Sequence, residues 1–250
     1  MEIVGFINLV FKKMLLGNNM KISTFNINKF QGAYSNPNTK GGYYNPRNID
    51  FITPIEKIIR THLEKENDIV FLQEFYDAKY NDKIGAKEYF ENNGYRVFHN
   101  MKEIAKSHVV AITLEESKWK IIEIVEEIKF RNKFIEMKLE KKSLKIISFH
   151  NTDNYIKDRI NSEFKKEAKD IKDIFLGDFN DTEWVDDLHN SCSGKYCDLV
   201  TNDMITFKPA QTTIDRIFIN KDKYENKITF NGPIETYTSD HNLLTFILNI

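Results

Sequence analysis

Apolar and polar positions alternate from Lys21 to Ile27, placing Ile22, Thr24 and Asn26 on one face and Ser23, Phe25 and Ile27 on the other. A period of two predicts a strand with two different faces, and this one ends at Asn26 and Asn28. Asp68–Glu74 reads differently. Ile69 to Leu72 is an unbroken apolar run closed by Gln73 and Glu74, as in a strand buried on both faces. Ser143–His150 predicts a further strand and ends in His150, Asn151 and Asp153. Ile174-Phe175-Leu176 turns from apolar to acidic within two residues, and Asp178, Asn180 and Asp181 follow. Gly177 lets the backbone turn there and come close to a ligand. By itself Gly177–Asp181 reads equally as a polar turn. Thr212–Ile219 predicts a strand with one acid inside it, Asp215, which is costly unless paired. Leu243–Leu248 predicts the last strand and follows Thr238-Ser239-Asp240-His241. Tyr95–His99, His108–Leu114, Trp119–Ile128 and Phe134–Leu139 carry enough branched and aromatic residues to build one sheet.

Helical spacing appears between these strands. Thr53-Pro54-Ile55-Glu56 is a capping box with proline in the first turn, and Ile55, Ile58, Ile59 and Leu63 then form one apolar stripe. Ala86 to Asn93 is a second helical stretch, broken by Gly94, and Ile156, Ile160, Phe164, Ala168 and Ile171 mark a third. Strands and helices in this order predict an α/β fold. Lys29 to Phe51 is a loop rich in Asn, Gly, Tyr and Pro. Its Tyr34, Tyr43 and Tyr44, with Lys40 and Arg47, suit stacking on and gripping a substrate, although loop tyrosines also cover core edges.

Composition narrows the classes. The chain has 250 residues with 10 Gly, 5 Pro and no linker-like tract, which predicts one catalytic domain over residues 20–250, with 1–19 as an N-terminal extension or accessory helix. Its 36 Lys+Arg against 37 Asp+Glu give a net charge of -1, which argues against a passive polyanion sponge. Such a balance leaves room for an enzyme that grips phosphate locally and offsets its own carboxylates with metal ions. The apolar run Val4–Val10 is too short to span a bilayer, and its basic pair Lys12-Lys13 follows it, unlike a secretory signal. A cytoplasmic monomer without stable membrane association is expected. Cys192 and Cys197 cannot complete a structural zinc site between them and are read as ordinary thiols, with a small-loop disulfide as the alternative.

Six strand ends thus present Asn26/Asn28, Glu74, His150/Asn151, Asp178/Asn180, Asp215 and Asp240/His241. In Phe25-Asn26, Leu72-Gln73-Glu74, Ser148-Phe149-His150, Leu176-Gly177-Asp178-Phe179-Asn180, Ile214-Asp215 and Ser239-Asp240-His241, the sequence resembles the endonuclease/exonuclease/phosphatase superfamily, its deoxyribonuclease-like branch in particular. The resemblance implies a four-layer α-β-β-α sandwich of two packed mixed sheets and Mg²⁺-dependent cleavage of a phosphoester, with Mn²⁺ able to substitute. It implies Glu74 as principal metal ligand, with Asn26 beside it and Asp240 as a further ligand. Asp178 would orient or deprotonate the attacking water, and Asn180 would hold that water or a phosphate oxygen. Asp215 would pair with His241 and favour its protonated form, so that His241 stabilises charge on the phosphoryl group. His150 would contact the phosphate as donor or general acid, and Asn151, Tyr43 and Arg47 would bind substrate.

A hard cation prefers carboxylate and carbonyl oxygens, which this set supplies. Abasic-site endonucleases usually carry Asp where Asn28 stands and a tyrosine motif in place of Ser148-Phe149-His150, so that reading falls. The acid expected to pair with the counterpart of His150 has Glu103 as its candidate. The expected substrate is nucleic acid, DNA first and RNA second, cut as by an endonuclease. The alternative is a phosphatase or phosphodiesterase acting on a small molecule or lipid headgroup, and a silent binding module is the third reading.

Overall fold

The computed structural model describes residues 19–30, 51–77, 79–80, 84–100, 107–122, 131–166, 171–192, 194–236 and 239–249. Its elements in chain order are β1 (Asn19–Asn26), α1 (Ile52–His62), β2 (Ile69–Phe75), β3 (Lys79–Tyr80), β4 (Ile84–Gly85), α2 (Ala86–Asn92), β5 (Tyr95–Phe98), β6 (His108–Leu114), β7 (Trp119–Ile121), β8 (Phe134–Leu139), β9 (Leu144–His150), α3 (Asn154–Phe164), β10 (Ile174–Asp178), α4 (Thr182–Cys192), β11 (Tyr196–Asp198), β12 (Asp215–Asn220), α5 (Lys221–Tyr224), β13 (Ile228–Ile234) and β14 (Leu243–Asn249).

Two six-stranded sheets form, in the orders β13-β14-β1-β2-β6-β5 and β11-β12-β10-β9-β8-β7. Both are mixed and share one plan. A central parallel pair, β1 with β2 or β9 with β10, is flanked by antiparallel neighbours. The period-two pattern of β1 sorts its side chains as its sequence implies: Ile22 joins the core between the sheets with Phe71, Ile146, Leu176 and Ile217. Phe25 and Ile27 pack outward against Ile55 and Ile58 of α1 and Phe90 of α2. Across the molecule, Phe149 and Phe175 pack outward against Ile156 and Ile160 of α3 and Trp184 and Leu188 of α4. The result is the expected α-β-β-α sandwich. Beneath the site the sheets also share a polar bridge, since Gln73 Nε2 contacts Thr24 Oγ1 and Ser148 Oγ, both at 2.9 Å.

Several sequence expectations need correction. The four segments from Tyr95 to Leu139 do not build one sheet: β5 and β6 belong to the first and β7 and β8 to the second. Strand propensity carries no information about partners, and the chain crosses over after β6, where Trp119 is fully buried between the sheets. The Thr53 cap is displaced as well. Helix α1 starts at Ile52 with Phe51 at the cap position and no side-chain cap bond, which leaves Pro54 in the first turn, where its missing N–H costs nothing. Helix α3 ends at Phe164, capped at its start by the Asp153 carboxylate on Tyr155 N, and Ile171 lies beyond it. Asp215 opens β12 rather than lying inside it, with Thr206 Oγ1 accepting its N–H at 2.9 Å.

Gly177 lets its neighbouring strand come close. At φ +138, a Cβ there would sit 2.1 Å from the carbonyl oxygen of Phe149, its register-neighbour on β9. The two cysteines are free, Cys192 in the outer cluster under α4 and Cys197 against the core between the sheets, on the other face of edge strand β11. Burial pushes both thiols up, Cys192 to about 11. Among the described residues, no helix is long and apolar enough to cross a membrane. Residues 1–18 of the expected extension, Tyr34, Lys40, Tyr43, Tyr44, Arg47, Glu103, residues 123–130 and Ala168 lie outside the described residues.

Candidate active site

The sheet plan brings the strand ends together. In register, Asn26 neighbours Gln73 at the ends of β1 and β2, and Asp178 neighbours His150 at the ends of β10 and β9. The antiparallel neighbours begin where these strands stop. Asp215 stands opposite Asp178, and Leu244 of β14, three residues after His241, opposite Thr24. A hydrogen bond from Asn26 Nδ2 to Asp178 Oδ2, 2.9 Å, then closes one sheet edge on the other. The loop before β14 docks on the same point, because Ser239 Oγ donates to the Asn26 carbonyl at 2.7 Å.

Asp178 is the centre. It is 1% exposed, and its second oxygen accepts the N–H of Asn180 at 3.0 Å. His241 holds Asp215 Oδ2 through Nδ1 at 2.9 Å, and its Nε2 lies 3.9 Å from Asp178 Oδ2. Burial alone would lower the His241 pKa, but the Asp215 carboxylate outweighs it, with Asp178 and Asp240 adding, and the imidazole is pushed up to about 9. Asp178 moves up to about 7, first through burial and then through the negative charge of Asp215, against the pull of His241 and the Asn26 amide. A buried cation therefore faces an acid that exchanges its proton near neutrality.

Glu74 sits on the opposite wall. It occupies a bulge in β2 at φ +51, a left-handed conformation that costs about 1–3 kcal/mol for a residue with a Cβ and re-aims the side chain out of the strand. Asn28, Lys29 and Phe30 are left-handed in succession (φ 46, 52 and 63), anchored by Phe30 against Phe51 and Phe75, and Asn180 is left-handed too. That turn delivers Lys29 Nζ to 3.2 Å from Glu74 Oε2. His150 Nε2 points between Glu74 Oε1, 3.6 Å away, and Asp178 Oδ2, 3.7 Å away, while Lys133 Nζ lies 3.4 Å from its Nδ1. Burial pushes Glu74 up, yet positive charge around it holds the carboxyl below its ordinary value, and at neutral pH Lys29 and Lys133 carry that charge. Burial, with Lys133 adding, drives His150 down to about 3. The imidazole is thus neutral at pH 7, and the two lysines supply the positive charge that faces Glu74.

Neither lysine stood out in the sequence. What brings Lys133 to the site is the pairing of Phe134 with Phe149, which sets it beside the end of β9 and which strand propensity does not reveal. Asn151 and Asn180 hold the site's outer wall, with Asn151 N on the Asp178 carbonyl at 2.8 Å, Asn151 Nδ2 on the Phe179 carbonyl at 2.7 Å and Asn180 Nδ2 on the Asn151 carbonyl at 2.9 Å. Both line an open cleft of about 440 Å³ together with Asp153, Lys157 and Asp181. Asp240 is buried beside His241, and its Oδ1 receives the Ser239 hydroxyl at 3.2 Å.

Two donor sets suit a cation. Asp178, Asp215 and His241 each present a ligand atom, all within 4.8 Å of one another. A protonated imidazole offers no lone pair, however, so a cation there must first displace the His241 proton. Glu74 is an all-oxygen alternative whose carboxylate is partly open, which fits a hard divalent ion.

No protein-family model matches the chain, and no curated protein sequence does. Solved structures do. *D. rerio* TDP2 complexed with a single-stranded DNA product matches at 18% identity and TM-score 0.59, over 93% of this chain and 100% of that one. The endonuclease domain of TRAS1, a telomere-specific non-LTR retrotransposon, matches at 16% identity and TM-score 0.60, over 92% and 99%. An endonuclease/exonuclease/phosphatase from Bacteroides vulgatus matches at 15% identity and TM-score 0.55, over 93% and 99%. The chain therefore shares the fold of these solved structures, two packed mixed sheets between layers of helices.

Proposed function

We propose that this protein is a Mg²⁺-dependent phosphodiesterase that hydrolyses nucleic acid, cutting DNA in preference and RNA second, and cutting within a strand. The observation that carries this reading is the facing pair at the centre, the His241 imidazolium held by Asp215 and the buried Asp178 3.9 Å from it. Phosphodiester hydrolysis makes a bond from water oxygen to phosphorus and breaks the bond to a sugar oxygen. It needs a proton acceptor for the water and positive charge for the phosphoryl oxygens, and the departing sugar oxygen takes its proton from solvent. Asp178, raised to about 7, accepts the water proton close to its own pKa. His241 stabilises the charge that gathers on the phosphoryl group, and Asn180 orients the water or one phosphoryl oxygen. His150, with Nε2 directed inward, serves as a hydrogen-bond donor to the phosphate; a group with a pKa of about 3 makes a poor general acid at neutral pH.

Glu74 and Asn26 would hold the cation, with Asp240 nearby, and Mn²⁺ would substitute. Bound there, the ion supplies Lewis-acid charge beside the phosphate. Two structural relatives were captured with DNA products, the single strand of *D. rerio* TDP2 and the product hairpin of a Neisseria 3′ phosphatase, which supports nucleic acid as substrate. The test is supercoiled plasmid incubated with wild type and with Asp178→Ala, each with Mg²⁺ and with EDTA. Nicking by wild type alone, and only with metal, is expected. No nicking under any condition overturns the double-stranded DNA reading and turns the search to RNA, single strands and small phosphoesters.

A further inference from the structure

The two histidines of the site have opposite partners. His241 Nδ1 meets a carboxylate, Asp215, at 2.9 Å, whereas His150 Nδ1 meets an ammonium, Lys133, at 3.4 Å. A lysine ammonium carries three donors and no acceptor, so a ring nitrogen that receives it must present a lone pair. The ring proton of His150 is then confined to Nε2. That nitrogen stands 3.6 Å from Glu74 Oε1 and 3.7 Å from Asp178 Oδ2, too far for a direct hydrogen bond to either, and it faces the gap between them.

We propose that Lys133 is a positioning residue that locks His150 in the Nε2–H tautomer and so aims one N–H donor at an oxygen held between Glu74 and Asp178. The fold builds this contact deliberately. Residues Arg131–Lys133 form a short turn immediately before β8, and the antiparallel pairing of β8 with β9 sets that turn beside His150. The turn is fastened to the other sheet, because Lys133 Nζ also donates to Ser107 Oγ at 3.2 Å and Asn132 Nδ2 to the Ser107 carbonyl at 2.9 Å, just before β6. Lys133 thus has a fixed direction of approach to the imidazole. A carboxylate in its place would put the proton on Nδ1 and make His150 resemble His241.

The identity of the oxygen, a phosphoryl group, rests on the phosphodiesterase reading; the tautomer does not. The test is ring-nitrogen NMR of ¹⁵N-labelled protein without metal or substrate, with His150→Gln assigning the signal among the six histidines. Wild type is expected to show an unprotonated Nδ1 and a protonated Nε2 on His150, a pattern kept in Lys133→Arg and mixed with the Nδ1–H form in Lys133→Met. An Nδ1–H or doubly protonated His150 in wild type at pH 7 overturns the proposal, as does an unchanged pattern in folded Lys133→Met. Should Lys133→Met fail to fold, the wild-type spectrum decides. On a substrate that is cleaved, Lys133→Met should lower kcat about tenfold to a hundredfold with little change in KM, the scale of one positioned donor. A rise in KM alone overturns the aimed-donor role. A protein with the expected tautomer that cleaves no phosphoester overturns the proposed function and leaves the lock standing.

Discussion

Asp178 and His241 approach each other at 3.9 Å, both buried, one delivered by the end of a strand in the second sheet and the other by the loop entering a strand of the first. Their relationship is electrostatic, and Asp215 governs it from behind.

Replacing Asp215 by Asn should therefore act through His241. Without the carboxylate, burial dominates and the imidazole loses its charge at lower pH than the present value of about 9. The alkaline limb of kcat/KM is expected to move at least one pH unit toward acid, with the rate at pH 8 falling at least about twofold. A pH–rate profile that keeps its alkaline limb would remove His241 as the charged group.

Asp178→Asn should separate stability from activity. The folded-state pKa of about 7 lies above the ordinary 3.8, so the native protein binds the proton more tightly than the unfolded chain and loses stability as pH rises from about 4 to 7. Asparagine has no charge to bury and retains an acceptor for Asn180 N, which offsets loss of the Asn26 Nδ2 bond to Asp178 Oδ2. Activity should fall by about a thousandfold or more, while the thermal midpoint at pH 8 holds or rises. A large drop in that midpoint would assign Asp178 a structural role.

His62 offers a pH effect far from the chemistry. Buried at the C-terminal end of α1 and 3.2 Å from Ser23 Oγ through Nδ1, it is pushed down to about 4, mainly by burial and further by Lys21. A depressed histidine is neutral when folded, so its contribution is fully present above the unfolded value near 6.5 and is lost as pH falls from there to about 4. The loss amounts to about 3 kcal/mol at most. His62→Gln should flatten denaturant stability across that window, and an unchanged slope would show that His62 titrates normally.

Gly177→Ala should be among the most damaging single changes. The added Cβ would meet the Phe149 carbonyl at 2.1 Å at a backbone angle disfavoured for alanine, at a cost on the order of 3 kcal/mol or more. Because β9 and β10 separate there, His150 and Asp178 should lose register together. Urea denaturation near the wild-type midpoint would contradict the packing argument.

Much of this molecule is written locally. The unbroken run Ile69–Leu72, the apolar-to-acidic change at Leu176–Asp178 and the alternation of Lys21–Ile27 each specify a strand and the polar residue at its end. Helix ends were less legible: α1 starts at Ile52 instead of after Thr53, because Pro54 is tolerated anywhere in a first turn. Sheet membership was not legible between Tyr95 and Leu139, since branched residues favour a strand without choosing its neighbour.

The sequence by itself determined the strands, the groups at their ends and hence the cast of the site: Asn26, Glu74, His150, Asp178, Asp215 and His241. Tertiary structure decided what each of them is. Two imidazoles of identical chemistry become a cation and a neutral donor because Asp215 stands against one and Lys133 against the other. Glycine is required at 177 because a carbonyl from another strand fills the space of its missing Cβ. Protonation and steric fit depend on neighbours brought in from distant parts of the chain, and those neighbours exist only once the two sheets have packed.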